Sequence, residues 1–153
     1  MKKIYVLVAI LCCIYTSEAQ SYEYQVITSV ESIIPSGAGR SRLVSTNENR
    51  NYKDFTSVRT DGKTVKDKRN KSDRGNIRVK NFEETKLLNF YNIAGIRFQN
   101  IAANDAVITS KINTMSSDGW ELAFVTSAVE SDAGKDDGKG IFITRYIFKK
   151  LKE

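Results

Sequence analysis

Between Tyr22 and Val30 the chain alternates with period two, so that Tyr22, Tyr24, Val26, Thr28 and Val30 fall on one side of an extended strand. A chain that opens this way begins with a strand. The segments that can join it lie near the other end. Trp120 to Ser127 puts Trp120, Leu122, Phe124 and Thr126 on one face and Ala123 with Val125 on the other. A polar loop from Glu130 to Gly140 then leads into Ile141 to Phe148, and the pair reads as an antiparallel hairpin.

One helix is expected just before this hairpin, from about Asp105 to Asp118. Asn104 or Asp105 would cap it, and Val107, Ile108, Ile112 and Met115 form its apolar stripe. Gly119 suits the left-handed position that ends it. Pro35, Gly37 and Gly39 end the first strand. Asn81 to Asn92 has two readings: a helix with Asn81 and Glu84 at its start and Leu87, Leu88 and Tyr91 as a stripe, or an extended segment through Leu88, Phe90 and Asn92. The expected fold is α+β, a small antiparallel sheet in β-α-β-β order with one principal helix packed on it and a long inserted loop or ribbon.

The N-terminus reads as an export signal. Lys2 and Lys3 precede an apolar run from Ile4 to Ile14, and Ser17-Glu18-Ala19 offers small residues at the two positions a signal peptidase reads. Residues 1–19 are expected to leave as a signal peptide, and 20–153 to form one secreted or periplasmic domain. The run is shorter than the roughly 20 apolar residues a spanning helix needs. Cys12 and Cys13 raise the alternative of a lipid-modified cysteine, although Leu11 and Cys12, not a small residue, precede them. Cleavage after Ala19 removes both cysteines, leaving a domain whose fold rests on its core alone.

The sequence also lacks histidine. Without imidazole or thiol the mature chain has no Ser-His-Asp triad, no cysteine nucleophile and no usual nitrogen or sulfur ligand for zinc. Catalysis would fall to carboxylates, Lys or Tyr, and no Asp or Glu pair stands out in the sequence. A carboxylate-based envelope hydrolase is therefore the alternative, and a binding domain without cofactor or metal the preferred reading. The acids of Glu130 to Gly138 do not fall at the alternating spacing of an EF-hand loop, and Lys135 sits among them.

Arg40 to Lys80 differs in character from the rest. It holds thirteen Lys or Arg against five Asp or Glu, a local charge of +8, and few large apolar residues. It reads as a mobile basic insertion, with short strands conceivable at Phe55 to Arg59 and Asn76 to Val79. Arg40, Arg42, Arg59, Lys63, Lys66, Lys68, Arg69, Lys71 and Arg74 are its candidate binding residues for an anionic polymer. Only Tyr52 and Phe55 supply aromatic rings there, too few for a base-stacking platform. Trp120, Tyr22, Tyr24, Phe142, Tyr146 and Phe148 are expected to pack in the core or across strands.

The opening Tyr22-Glu23-Tyr24-Gln25-Val26-Ile27, the step Asp118-Gly119-Trp120-Glu121-Leu122 and the terminal Arg145-Tyr146-Ile147-Phe148-Lys149-Lys150 resemble the DUF4177 family of small bacterial proteins. The resemblance covers the first strand and the last fifty or so residues, and implies a β-α-β-β unit with no established activity. Residues 36–101 are much longer than anything the compact family has there. A three-stranded sheet offers a small core, so further strands, an envelope protein or a second copy at a sheet edge would complete it.

Overall fold

A computed structural model describes residues 20–34, 41–63, 67–131 and 140–152. The expected export signal, the turn expected at Pro35 to Gly39 and most of the segment before Ile141 lie outside the described residues. Among these residues seven strands form: β1 (Tyr22–Ser32), β2 (Arg42–Ser45), β3 (Glu83–Lys86), β4 (Tyr91–Asn92), β5 (Gly95–Ile96), β6 (Glu121–Glu130) and β7 (Ile141–Leu151). Two α-helices accompany them among the described residues, the single turn α1 (Arg74–Ile77) and the principal helix α2 (Phe98–Ser117), with a 3-10 turn at Tyr52–Phe55. The main sheet runs β3-β2-β1-β7-β6, antiparallel throughout, and β4 with β5 makes a separate small hairpin. The α+β class and the β-α-β-β frame hold, and β2 and β3 add the strands that a three-stranded sheet lacked.

The two long central strands account for the register. β1 and β7 pair over their full length, from Tyr22 opposite Leu151 to Ser32 opposite Ile141. Helix α2 lies on one face of this pair, where Ile27, Leu43 and Phe148 meet Ile108, Met115 and Leu87. Val107, Ile112, Trp120 and Tyr146 pack around them. The helical stripe and the placement of Tyr146 and Phe148 in the packed layer agree with the sequence.

The strand read from the Tyr22-to-Val30 alternation forms, and its two faces meet different surroundings. Ile27, Ser29 and Glu31 face the helix, while Tyr24 and Val26, on the other side, are exposed. The apolar character of the Tyr22-to-Val30 series therefore belongs to the open face of the sheet.

The helix start and the strand at Asn76 to Val79 are corrected, and of the two readings of Asn81 to Asn92 the extended one holds. The helix begins at Phe98, seven residues earlier than Asp105, because its N-cap, Arg97, makes no side-chain cap bond and carries no sequence signal. Asn104 is no cap; it lies 1% exposed inside the helix. Its Nδ2 donates to Glu31 Oε1 (2.8 Å) and to the Leu88 carbonyl (2.7 Å), and its Oδ1 accepts from the Leu88 N–H (2.7 Å). The segment after Asn81 is extended, and Asn81 itself donates to Glu48 through its N–H and Nδ2. Asn76 to Val79 forms no strand, since Asn76 and Ile77 end the helical turn α1. Gly119 behaves as expected: at φ +83° it closes α2, with its N–H on Ser116 O and that of Trp120 on Met115 O.

Candidate functional site

Strand β6 is one of the two edge strands of the main sheet, opposite β3, and all ten of its residues are exposed. Its register against β7 explains this. Leu122 lies opposite Phe148 and Phe124 opposite Ile147, so Ala123 is an extra residue, a bulge that reverses the alternation. Leu122, Val125 and Val129 consequently point to the helix side, and Phe124, Thr126 and Ala128 to the open side. The single face expected for Trp120, Leu122, Phe124 and Thr126 is broken at that bulge. Helix α2 covers β1, β2 and β7 and leaves β6 bare: Leu122 is 38% exposed, Val125 45%, Val129 56% and Phe124 61%.

The strand carries no Lys, Arg or Pro, the residues that normally blunt a free edge. Its charges are Glu121 and Glu130 at its ends. Glu121 pairs with Lys149 at 3.2 Å, and Lys149 also lies 5.2 Å over the Tyr22 ring. Glu130 makes no ion pair among the described residues.

The open face continues across the sheet. Cross-strand partners share a face, so Val26, Ile147 and Phe124 form one apolar row and Val30, Ile143 and Ala128 another. Between them runs the row Val44, Thr28, Arg145 and Thr126. Arg145 is exposed and makes no ion pair among the described residues. An unneutralised cation thus stands in the middle of an apolar sheet face, one strand from the free edge.

The basic insertion is a ribbon between β2 and β3. Arg42 to Ser45 belongs to the sheet, so the departure from it begins at Thr46 and ends at Phe82. Val58 and Lys68 exchange backbone bonds of 2.8 and 3.0 Å, but this is an isolated bridge; the short strand expected at Phe55 to Arg59 does not form, since Tyr52 to Phe55 is a 3-10 turn. Asp67 clamps the turn: its carboxylate accepts from the Thr60 N–H (2.7 Å) and pairs with Arg59 (3.3 Å), and these contacts hold it below the usual carboxylate range. The Asp54 carbonyl accepts from Ser72 Oγ (2.8 Å) and Asn70 Nδ2.

Among the sequence candidates, Arg42 is neutralised by Glu84 (3.6 Å) in the sheet and Arg59 by Asp67. Lys63, Lys68, Arg69, Lys71 and Arg74 are exposed and form no ion pair among the described residues. Arg40 and Lys66 lie outside those residues.

Where the ribbon leaves the sheet, a groove of about 400 Å³ is lined by Ser45, Thr46, Asn47, Glu48, Asn81, Phe82 and Glu83. It contains two carboxylates, but both are held ionised. Arg50 and Asn81 lower Glu48, and Lys111 (2.9 Å) and Ser45 (3.0 Å) lower Glu83. Glycoside hydrolysis needs one carboxyl kept protonated to serve as acid, and neither residue is placed for that. Among the described residues no group of three Asp or Glu could hold a metal ion, and no helix is long and apolar enough to cross a membrane.

No protein-family model matches the chain, and neither does any curated protein or solved structure.

Proposed function

We propose that this chain is an exported, non-enzymatic assembly domain that receives a strand of another polypeptide along the free edge of β6. The observation that carries the reading is the exposure of Leu122, Phe124, Val125 and Val129 on a ten-residue edge strand with no charge between its terminal Glu121 and Glu130. Each such side chain, about half in water, forgoes part of the roughly 1.5–3 kcal/mol that full burial is worth, and an unpaired edge offers its N–H and C=O groups as a template. The basic ribbon makes a weaker case, because solvated Lys and Arg side chains lose nothing by staying in water. The leader sequence and the DUF4177-like strands support export and a small bacterial domain without catalytic machinery.

A photoreactive phenylalanine analogue at position 124, irradiated in cells that export the protein, tests the reading. Adducts with a polypeptide are expected there and not from the same analogue at Tyr52, on the ribbon. Absence of any polypeptide adduct at position 124, including one with the protein itself, would sink it.

A further inference from the structure

We propose that the strand received by β6 is β6 of a second copy, joined antiparallel about a two-fold axis through Ser127 and locked by reciprocal Arg145–Glu130 pairs. The inference rests on the edge-strand reading above and names its partner.

The register follows from the faces. An added antiparallel strand pairs residues that share a face, so helix-side residues must meet helix-side residues. With the axis at Ser127, Val125 meets the partner's Val129 and Val129 meets the partner's Val125, giving two apolar pairs where each copy alone exposes both valines. On the open side, Thr126 meets the partner's Ala128, and Phe124 lies against the aliphatic stem of the partner's Glu130. The paired stretch is Phe124 to Glu130, which leaves the Ala123 bulge outside it. Moving the axis to Thr126 would set Val125 against Ser127 and run the pairing into the bulge.

Charge selects the same occupant. Glu130 faces the open side, opposite Ile141, and Arg145 faces the same side, opposite Thr126. Neither has an ionic partner among the described residues. In the two-fold register the partner's Glu130 stands two strands across and two residues along from Arg145, about 12 Å between Cα atoms at ordinary strand spacing. An extended Arg and an extended Glu meet over that span, and symmetry makes the contact twice. No carboxylate faces a carboxylate directly, since each Glu130 is opposite a phenylalanine. The product is a ten-stranded sheet with one continuous open face and β3 at both outer edges.

The protein purified after export, taken through sedimentation equilibrium over a wide concentration range, should be a dimer. Glu130→Arg and Arg145→Glu should each raise the dimer dissociation constant about tenfold, because each replaces two attractive contacts by two repulsive ones. The double variant should return toward wild type, as only a direct contact allows. Val125→Lys with Val129→Lys should abolish the dimer, while circular dichroism confirms that the sheet is kept. A monomer at every concentration overturns the inference, as does a dimer equally tight in Glu130→Arg and in the double variant. If position 124 crosslinks only to a different polypeptide, the second copy is excluded while the edge-strand reading stands.

Discussion

Glu31 brings a carboxylate into the layer between β1 and α2, where it is 9% exposed and accepts one hydrogen bond from Asn104. Burial raises its pKa above the usual carboxylate value, Asp105 adds to the rise, and the Asn104 bond opposes it. The folded state therefore holds the Glu31 proton more firmly than the unfolded chain does. Its contribution to stability is complete below the ordinary glutamate pKa and is lost as pH rises through the higher folded value. Glu31→Gln keeps an acceptor for Asn104 and removes the charge. The variant should match wild type in acid and melt a few degrees, about 2–5 °C, higher at neutral pH. Melting curves at both ends of that range check it, and a variant less stable at neutral pH would show that the charged form is the one the fold prefers. Tyr146, raised by its burial beside the same layer, stays neutral throughout this window.

Asn104 shows how one polar side chain can hold three elements. From inside α2 it satisfies both backbone groups of Leu88 and one oxygen of Glu31, joining the helix to β1 and to the strand-like segment before β4. Asn104→Ala leaves the buried Glu31 and the part-buried backbone groups of Leu88 without these partners and should cost about 1–3 kcal/mol, measurable as a lower urea midpoint with an unchanged slope. The same residue marks the limit of reading elements from sequence. An asparagine before an apolar stripe is the ordinary sign of a helix start, and only the tertiary partners at Leu88 and Glu31 reveal that the helix continues through it. The apolar stripe and Gly119 were legible because 3.6-residue periodicity and a positive φ are local properties. The Ala123 bulge was not, since an extra residue in a strand exists only relative to β7. β2 was hidden for a related reason: Arg42-Leu43-Val44-Ser45 is four residues inside a basic stretch, and pairing with β1 and β3 makes it a strand. Its outward Arg42 and Val44 conceal the inward Leu43 on which the core depends. At the candidate site, the sequence suggested an edge that could pair and put Leu122 and Phe124 on one face of the strand. Their exposure follows from how far α2 reaches across the sheet, which no residue of β6 encodes.

At the scale of the whole molecule, the sheet edge and the ribbon are separable. β2 and β3 form a continuous antiparallel pair from Arg42 opposite Lys86 to Ser45 opposite Glu83, so the ribbon leaves and returns at adjacent points. Its internal contacts, Val58 with Lys68 and Asp54 with Ser72, do not involve the packed layer beneath α2. Replacing residues 47–81 by a two-residue Asn-Gly turn should therefore leave a folded domain, since that turn suits the twist of a hairpin. The excised domain should keep dimerisation through β6, which lies at the opposite edge of the sheet. It should lose whatever affinity Lys63, Lys68, Arg69, Lys71 and Arg74 give for a polyanion. Heparin binding of the intact protein should fall steeply with salt, with a slope near five if those side chains are the contacts, and should vanish on excision. Equal heparin affinity before and after excision would assign the polyanion contact elsewhere, and loss of the dimer on excision would show that ribbon and edge act together.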